Sequence, residues 1–188
     1  MRKSILLIAF VASLPGLTLG DTVVSVSSPA TVAKGSTFSV DVDIAGVTDL
    51  FGYQLDLSFD PSILQATGTI TEGSFFQSGG GFVPGTVDNV GGTITSNADT
   101  LIGPISGLDG GGQLIVFEFT ALAAGTSGLD LANIMLLDSS LNNIDFTSTN
   151  GSVTVSGTTP TPEPSSLVLL AVALCSLAVL AGFKNARA

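Results

Sequence analysis

The chain has 188 residues, with 15 acidic and 5 basic side chains, one cysteine, and neither histidine nor tryptophan. Without histidine and with a single thiol, imidazole and thiolate metal centres and His-assisted serine or cysteine nucleophiles are excluded. The formal charge of −10 argues against nucleic acid, whose phosphates call for lysine and arginine.

Residues 1–20 carry Arg2 and Lys3, then a short apolar run from Ile5 to Leu14, then Pro15. Thr18 and Gly20 are small enough for the −3 and −1 positions of a cleavage site before Asp21. This is the layout of a secretory signal peptide, since the apolar run is short for a spanning helix. An uncleaved N-terminal anchor is the alternative.

The body, residues 21–159, holds fourteen carboxylates against the single basic residue Lys34. It has no cysteine, so its stability must come from a core and not from disulfides. Apolar and polar residues alternate strictly in Phe38-Ser39-Val40-Asp41-Val42-Asp43-Ile44 and in Tyr53-Gln54-Leu55-Asp56-Leu57-Ser58-Phe59. Successive strand side chains point to opposite faces, so each segment has one core face and one wet face. Residues 113–121 form a third such segment, with Ile115, Phe117 and Phe119 on one side. Shorter strands are predicted over 23–27, 63–70, 93–96, 128–131, 134–137 and 152–155, separated by Gly, Asn, Asp and Ser. No sustained helical period interrupts them, so the body reads as an all-β sandwich of about nine strands.

Two phrases carry a family resemblance: GYQLDLSFDPSIL, from Gly52 to Leu64, and IVFEFTALAAGTSGLDLANIMLLDSSLNNI, from Ile115 to Ile144. With Val26 and the closing Gly151-Ser152-Val153-Thr154-Val155, they resemble cohesin domains over residues 21–156. The resemblance implies a jelly-roll sandwich. It also implies a non-catalytic role in binding a protein partner, dockerin-like or of another kind, through one outer sheet face.

Asp60-Pro61 reads as a strand stop, because proline cannot donate to a ladder and aspartate favours turns. Asp41, Asp43 and Asp56 fall on wet strand faces, where they keep sheets soluble or form an acidic patch. Phe75, Phe76 and Phe82 flank the Gly79-Gly80-Gly81 loop and either cap the sandwich or form a binding loop. Asp109-Gly110-Gly111-Gly112 reads as a turn. Asp138, Ser140, Asn142 and Asp145 supply oxygens of the kind calcium takes, yet lack the glycine and glutamate spacing of an EF-hand; a plain hairpin turn is the first reading and a calcium site the second. Glu118 points outward from its strand, and no carboxylate pair calls for an enzyme. With no tryptophan and Tyr53 on a core face, binding of extracellular polysaccharide is the alternative function rather than the first.

Residues 157–166 form a Pro/Thr/Ser linker containing Pro162-Glu163-Pro164, stiff and poor in backbone donors. Residues 167–183 are an uncharged apolar run, about 25 Å long as a helix and sufficient to span a bilayer. Lys184 and Arg187, in the tail 184–188, would stay cytoplasmic and leave the body outside. The order Pro-Glu-Pro, apolar helix, basic tail resembles the PEP-CTERM sorting signal of Gram-negative bacteria. That family commonly carries a run of arginine where this tail has Lys184 and Arg187. The resemblance implies processing by a membrane-embedded exosortase-like enzyme, with the protein held in the inner membrane and then displayed at the cell surface or released. A plain single-pass anchor on a proline-rich stalk is the alternative.

Overall fold

The computed structural model describes residues 20–76 and 81–157. The expected signal peptide, apart from Gly20, lies outside them. So do the Pro162-Glu163-Pro164 motif, the 167–183 helix, Lys184 and Arg187. Among the described residues no helix is long and apolar enough to cross a membrane.

The described residues form eleven strands in two sheets. They are β1 (Val23–Ser27), β2 (Thr31–Ala33), β3 (Thr37–Leu50), β4 (Gly52–Phe59), β5 (Leu64–Glu72), β6 (Thr86–Asp88), β7 (Thr93–Thr100), β8 (Leu108–Ala121), β9 (Gly125–Leu137), β10 (Thr147–Thr149) and β11 (Gly151–Ser156). The first sheet runs β10-β1-β3-β8-β5 and the second β2-β11-β9-β4-β7-β6. The alternation in the sequence dictates the packing. Val40, Val42 and Ile44 of β3 and Leu55, Leu57 and Phe59 of β4 are buried, while the polar residues between them are not. The two inner faces meet in one core, where Phe119 packs edge-on against Phe59 at 5.1 Å.

Both ends of the body change sheets. β1 joins the first sheet beside β3, and after Pro29 the chain enters the second as β2, parallel to β11. Near the C-terminal end, β10 pairs with β1 before Asn150, and β11 pairs with β9 after it. Proline has no N–H to continue a ladder, which is the local reason the first strand stops there.

Eleven strands replace the nine expected. Short β2, β6 and β10 have no legible alternation, and 128–131 and 134–137 are parts of one strand, β9. The Asp109–Gly112 segment is not a turn; it is the start of β8. Glycine serves close approach there, since a Cβ on Gly112 would stand 3.2 Å from the Phe75 ring.

Candidate functional site

The two outer faces differ in chemistry. The first sheet presents Asp41 and Asp43 from β3 and Glu118 from β8, with Ser39 paired opposite Glu118. No basic side chain stands in the strands of that sheet. Burial, and then the neighbouring Asp41 carboxylate, raise the Asp43 carboxyl above the ordinary aspartate range. Such a face repels anions.

The second sheet is shaped by two bulges. In β7 the inward residues are Ile94, then Asn97 and Asp99, so the parity flips between them. In β9 the inward residues are Ser127 and Leu129, then Leu136, so it flips again. Register shifts fall at the matching level on both sides of β4. Ser96, at φ 63°, and Asn133, at φ 48°, take the left-handed conformations that the bulges require. Asp56 of β4 lies between them and fastens both. Its Oδ1 accepts the Ser96 N–H at 2.7 Å, and its Oδ2 accepts from Asn133 Nδ2 at 2.6 Å. The Asp56 carboxylate, expected on a wet face, thus also holds the sheet's shape.

The bulges decide which side chains face outward. Beyond Asn133, Met135 is turned to solvent, 43% exposed, and Leu136 is buried. Beyond Ser96, Ala98 faces out and bridges Val83, itself 55% exposed. Two depressions flank Met135 and Gln54. One, of about 220 Å³, is lined by Val83, Ala98, Thr100 and Leu137 as well. The other, of about 630 Å³, adds Asn133, Ile134, Asn143 and Asp145. The face therefore has a partly apolar patch of Met135, Val83 and Ala98 around Gln54, with Asp56 two residues further along β4 and Asp145 at the edge of the larger depression. A mixed centre with a polar rim on a rigid sheet suits contact with another protein.

The other predicted site residues take separate places. Phe76 is fully buried, with its ring 5.3 Å from Tyr53 and 5.9 Å from Phe75, both edge-on. Phe75 and Phe82 are half-buried and pack against the core. The burial of Phe76 removes it from a binding loop, because its apolar surface is spent in the sandwich. Asp138 Oδ1 accepts the Ser140 and Asn142 backbone N–H groups, each at 2.8 Å, and Asn142 Nδ2 donates to its other oxygen. These bonds hold the Asp138 carboxyl below the usual aspartate range. Three N–H donors directed at one carboxylate disfavour a cation there. Asp145 stands apart, at the rim of the larger depression. No group of three or more His, Cys, Asp or Glu side chains among the described residues is placed to hold a metal ion. Asp60 accepts from both the Ser62 N–H and hydroxyl, the capped strand end its sequence suggested.

Met135 and Val83 went unread in the sequence. Met135 lies in the unbroken apolar run Ile134–Leu137, where alternation cannot separate inside from outside; only the bulge at Asn133 sets its direction. Val83 follows a glycine loop with no pattern at all.

A model of the cohesin domain matches residues 22–155, and the chain belongs to that family. Solved structures agree in fold. A non-cellulosomal cohesin from the archaeon Archaeoglobus fulgidus superposes with a TM-score of 0.62 at 22% identity, covering 73% of this chain and 92% of its own. A type II cohesin domain from the cellulosome of Acetivibrio cellulolyticus gives 0.63 at 16% identity, covering 71% and 95%. The cohesin in a type I cohesin–dockerin complex from Clostridium thermocellum gives 0.60 at 12% identity, covering 73% and 100%. No curated protein sequence matches the chain significantly. Residues 20–157 hold both sheets and the core between them, so the cohesin unit has its own hydrophobic interior.

Proposed function

We propose that residues 21–156 are a non-catalytic, exported interaction module that docks a dockerin-like protein on the outer face of the β9-β4-β7-β6 sheet. The observation that carries the reading is the partly apolar patch on that face, where Met135 and Val83 are exposed around Gln54 between two depressions. Family membership supports a binding role, and the similar Clostridium cohesin was solved with a dockerin. The sequence supports display at the cell surface, through export by residues 1–20, anchoring by 167–183 and exosortase-like processing at Pro162-Glu163-Pro164.

The test uses residues 20–157, immobilised, with calcium-loaded dockerin modules as the probe. Met135→Asp and Val83→Asp should each weaken a captured module at least about tenfold, or about 1.4 kcal/mol. Asp41→Asn and Asp43→Asn should leave binding unchanged. Sensitivity to the Asp41 and Asp43 changes alone would move the site to the acidic sheet. Retention of extracellular polysaccharide with no stoichiometric protein would replace the reading with matrix binding.

A further inference from the structure

One end of the sandwich contains two carboxyl groups without an opposite charge. Asp99, near the end of β7 in the second sheet, is 2% exposed. Its Oδ1 accepts the Thr100 N–H at 2.8 Å, and its Oδ2 is buried with no hydrogen-bond partner. Glu72 closes β5 in the first sheet, and its Oε1 is likewise buried and unpartnered. Tyr53, the register partner of Asp99, donates to the Leu114 carbonyl, which also accepts the N–H of Gly73 next to Glu72, so the two carboxyl groups meet across the sandwich beside Tyr53. Two unprotonated carboxylates cannot bond to each other, since both only accept. A buried acceptor left without a donor costs about 1–3 kcal/mol, and more when charged. A single proton between the groups removes both penalties.

Among the described residues no other group supplies the missing donor. Tyr53 of β4 faces the pair, but its hydroxyl donates to the Leu114 carbonyl of β8 at 2.8 Å. Burial, and then the Asp99 and Glu72 charges, push that phenol far above its usual range, so it stays neutral. The 73–76 turn, with Phe75 and Phe76, and the 101–107 loop contain no titratable side chain. Lys34, the only basic residue of the body, lies elsewhere: its backbone N–H donates to the Ser156 carbonyl, and that of Gly35 to the Ala121 carbonyl, six residues along β8 from the Glu72 partner Ile115.

We propose that Glu72 and Asp99 share one proton, and that the resulting carboxyl–carboxylate hydrogen bond clasps the two sheets at this end until the proton leaves to solvent. The inference is independent of the dockerin reading. Desolvation, opposed by the Thr100 N–H and reinforced by Glu72, pushes the Asp99 carboxyl up to about 6. A folded-state value raised above the unfolded 3.8 means that the clasp's stabilisation is complete below 3.8 and is lost as pH rises towards and through 6. Asp49, Asp60, Asp88 and Asp138, lowered by hydrogen bonds, act with the opposite sign and lose stabilisation as pH falls.

Thermal unfolding of residues 20–157 from pH 4 to 8 tests the clasp. The unaltered domain should lose melting temperature between pH 4 and about 6.5. Asp99→Asn supplies a permanent N–H donor to Glu72, so it should flatten that slope and melt higher than the unaltered domain at pH 8. An equal slope in the variant, or a lower melting temperature at pH 8, overturns the clasp. Glu72→Gln gives the same readout if Asp99→Asn does not fold. Carboxyl carbon resonances of the unaltered domain are a second measure: an Asp99 signal titrating near 3.8 also overturns it. Calcium that raises the pH 8 melting temperature of the unaltered domain alone, and not of Asp99→Asn, would make the pair a cation site instead.

Discussion

Two buried polar side chains, Asn97 and Ser127, are spent on backbone groups. Asn97 is fully buried and makes three bonds. Its Nδ2 donates to the Leu55 and Ile94 carbonyls at 3.1 and 3.3 Å, and its Oδ1 accepts the Gly85 N–H at 3.0 Å. It thus satisfies groups that the β7 bulge takes out of the ladder. Ser127 does similar work, accepting the Asp60 N–H and donating to the Gly128 carbonyl. Asn97→Ala takes this partner from one N–H and two carbonyls, and should lower unfolding stability by about 2–3 kcal/mol in urea titration. The same change at exposed Asn142 should cost clearly less, because water replaces its bonds. A cost at Asn97 no greater than at Asn142 would show that the bulge is not held this way.

At the scale of elements, the connections are as specific as the strands. The β6–β7 hairpin closes through Asp88, whose Oδ1 accepts the Val90 and Gly91 N–H groups at 2.9 and 3.0 Å. Gly92 then takes φ 69°, and its carbonyl accepts the Phe59 N–H at 2.8 Å, joining the turn to β4. A Cβ on Gly92 would collide with the Phe59 carbonyl and stand 2.7 Å from the Pro61 ring. Gly92→Ala should therefore destabilise by about 1–3 kcal/mol from conformation, with the collision in addition. Gly35, at φ 84° with open space around it, is the control: Gly35→Ala bears the conformational cost alone. Equal melting temperatures for the two variants would remove the collision from the account. Alternation revealed β3 and β4 because their polar and apolar residues trade places without a break. It hid β2, β6 and β10, each three residues long and shorter than a pattern needs.

For the whole molecule, charge and order along the chain agree. The acidic body keeps its only lysine at a turn, while the remaining basic residues stand at the two ends. A body of formal charge −13, fourteen carboxylates against one lysine, resists association with anionic surfaces. The proposed route to the cell surface makes a direct prediction about mass. Native protein should lack residues 1–20, and exosortase-like processing should also remove residues near 166–188. Intact mass spectrometry reads both ends together; a retained C-terminal segment would leave a simple anchor, and a retained N-terminal segment a second one.

The sequence by itself determined the β class and the acidic body. Each rests on local alternation or composition, which neighbouring residues express without knowing the fold. Tertiary structure decided the rest. Whether Met135 faces water depends on a parity flip at Asn133, held by Asp56 from a strand 77 residues away in sequence. Whether Asp99 is a surface acid or half of a buried pair depends on where β5 and β7 end in opposite sheets. Such roles belong to the space between strands, and no local pattern in either strand records them.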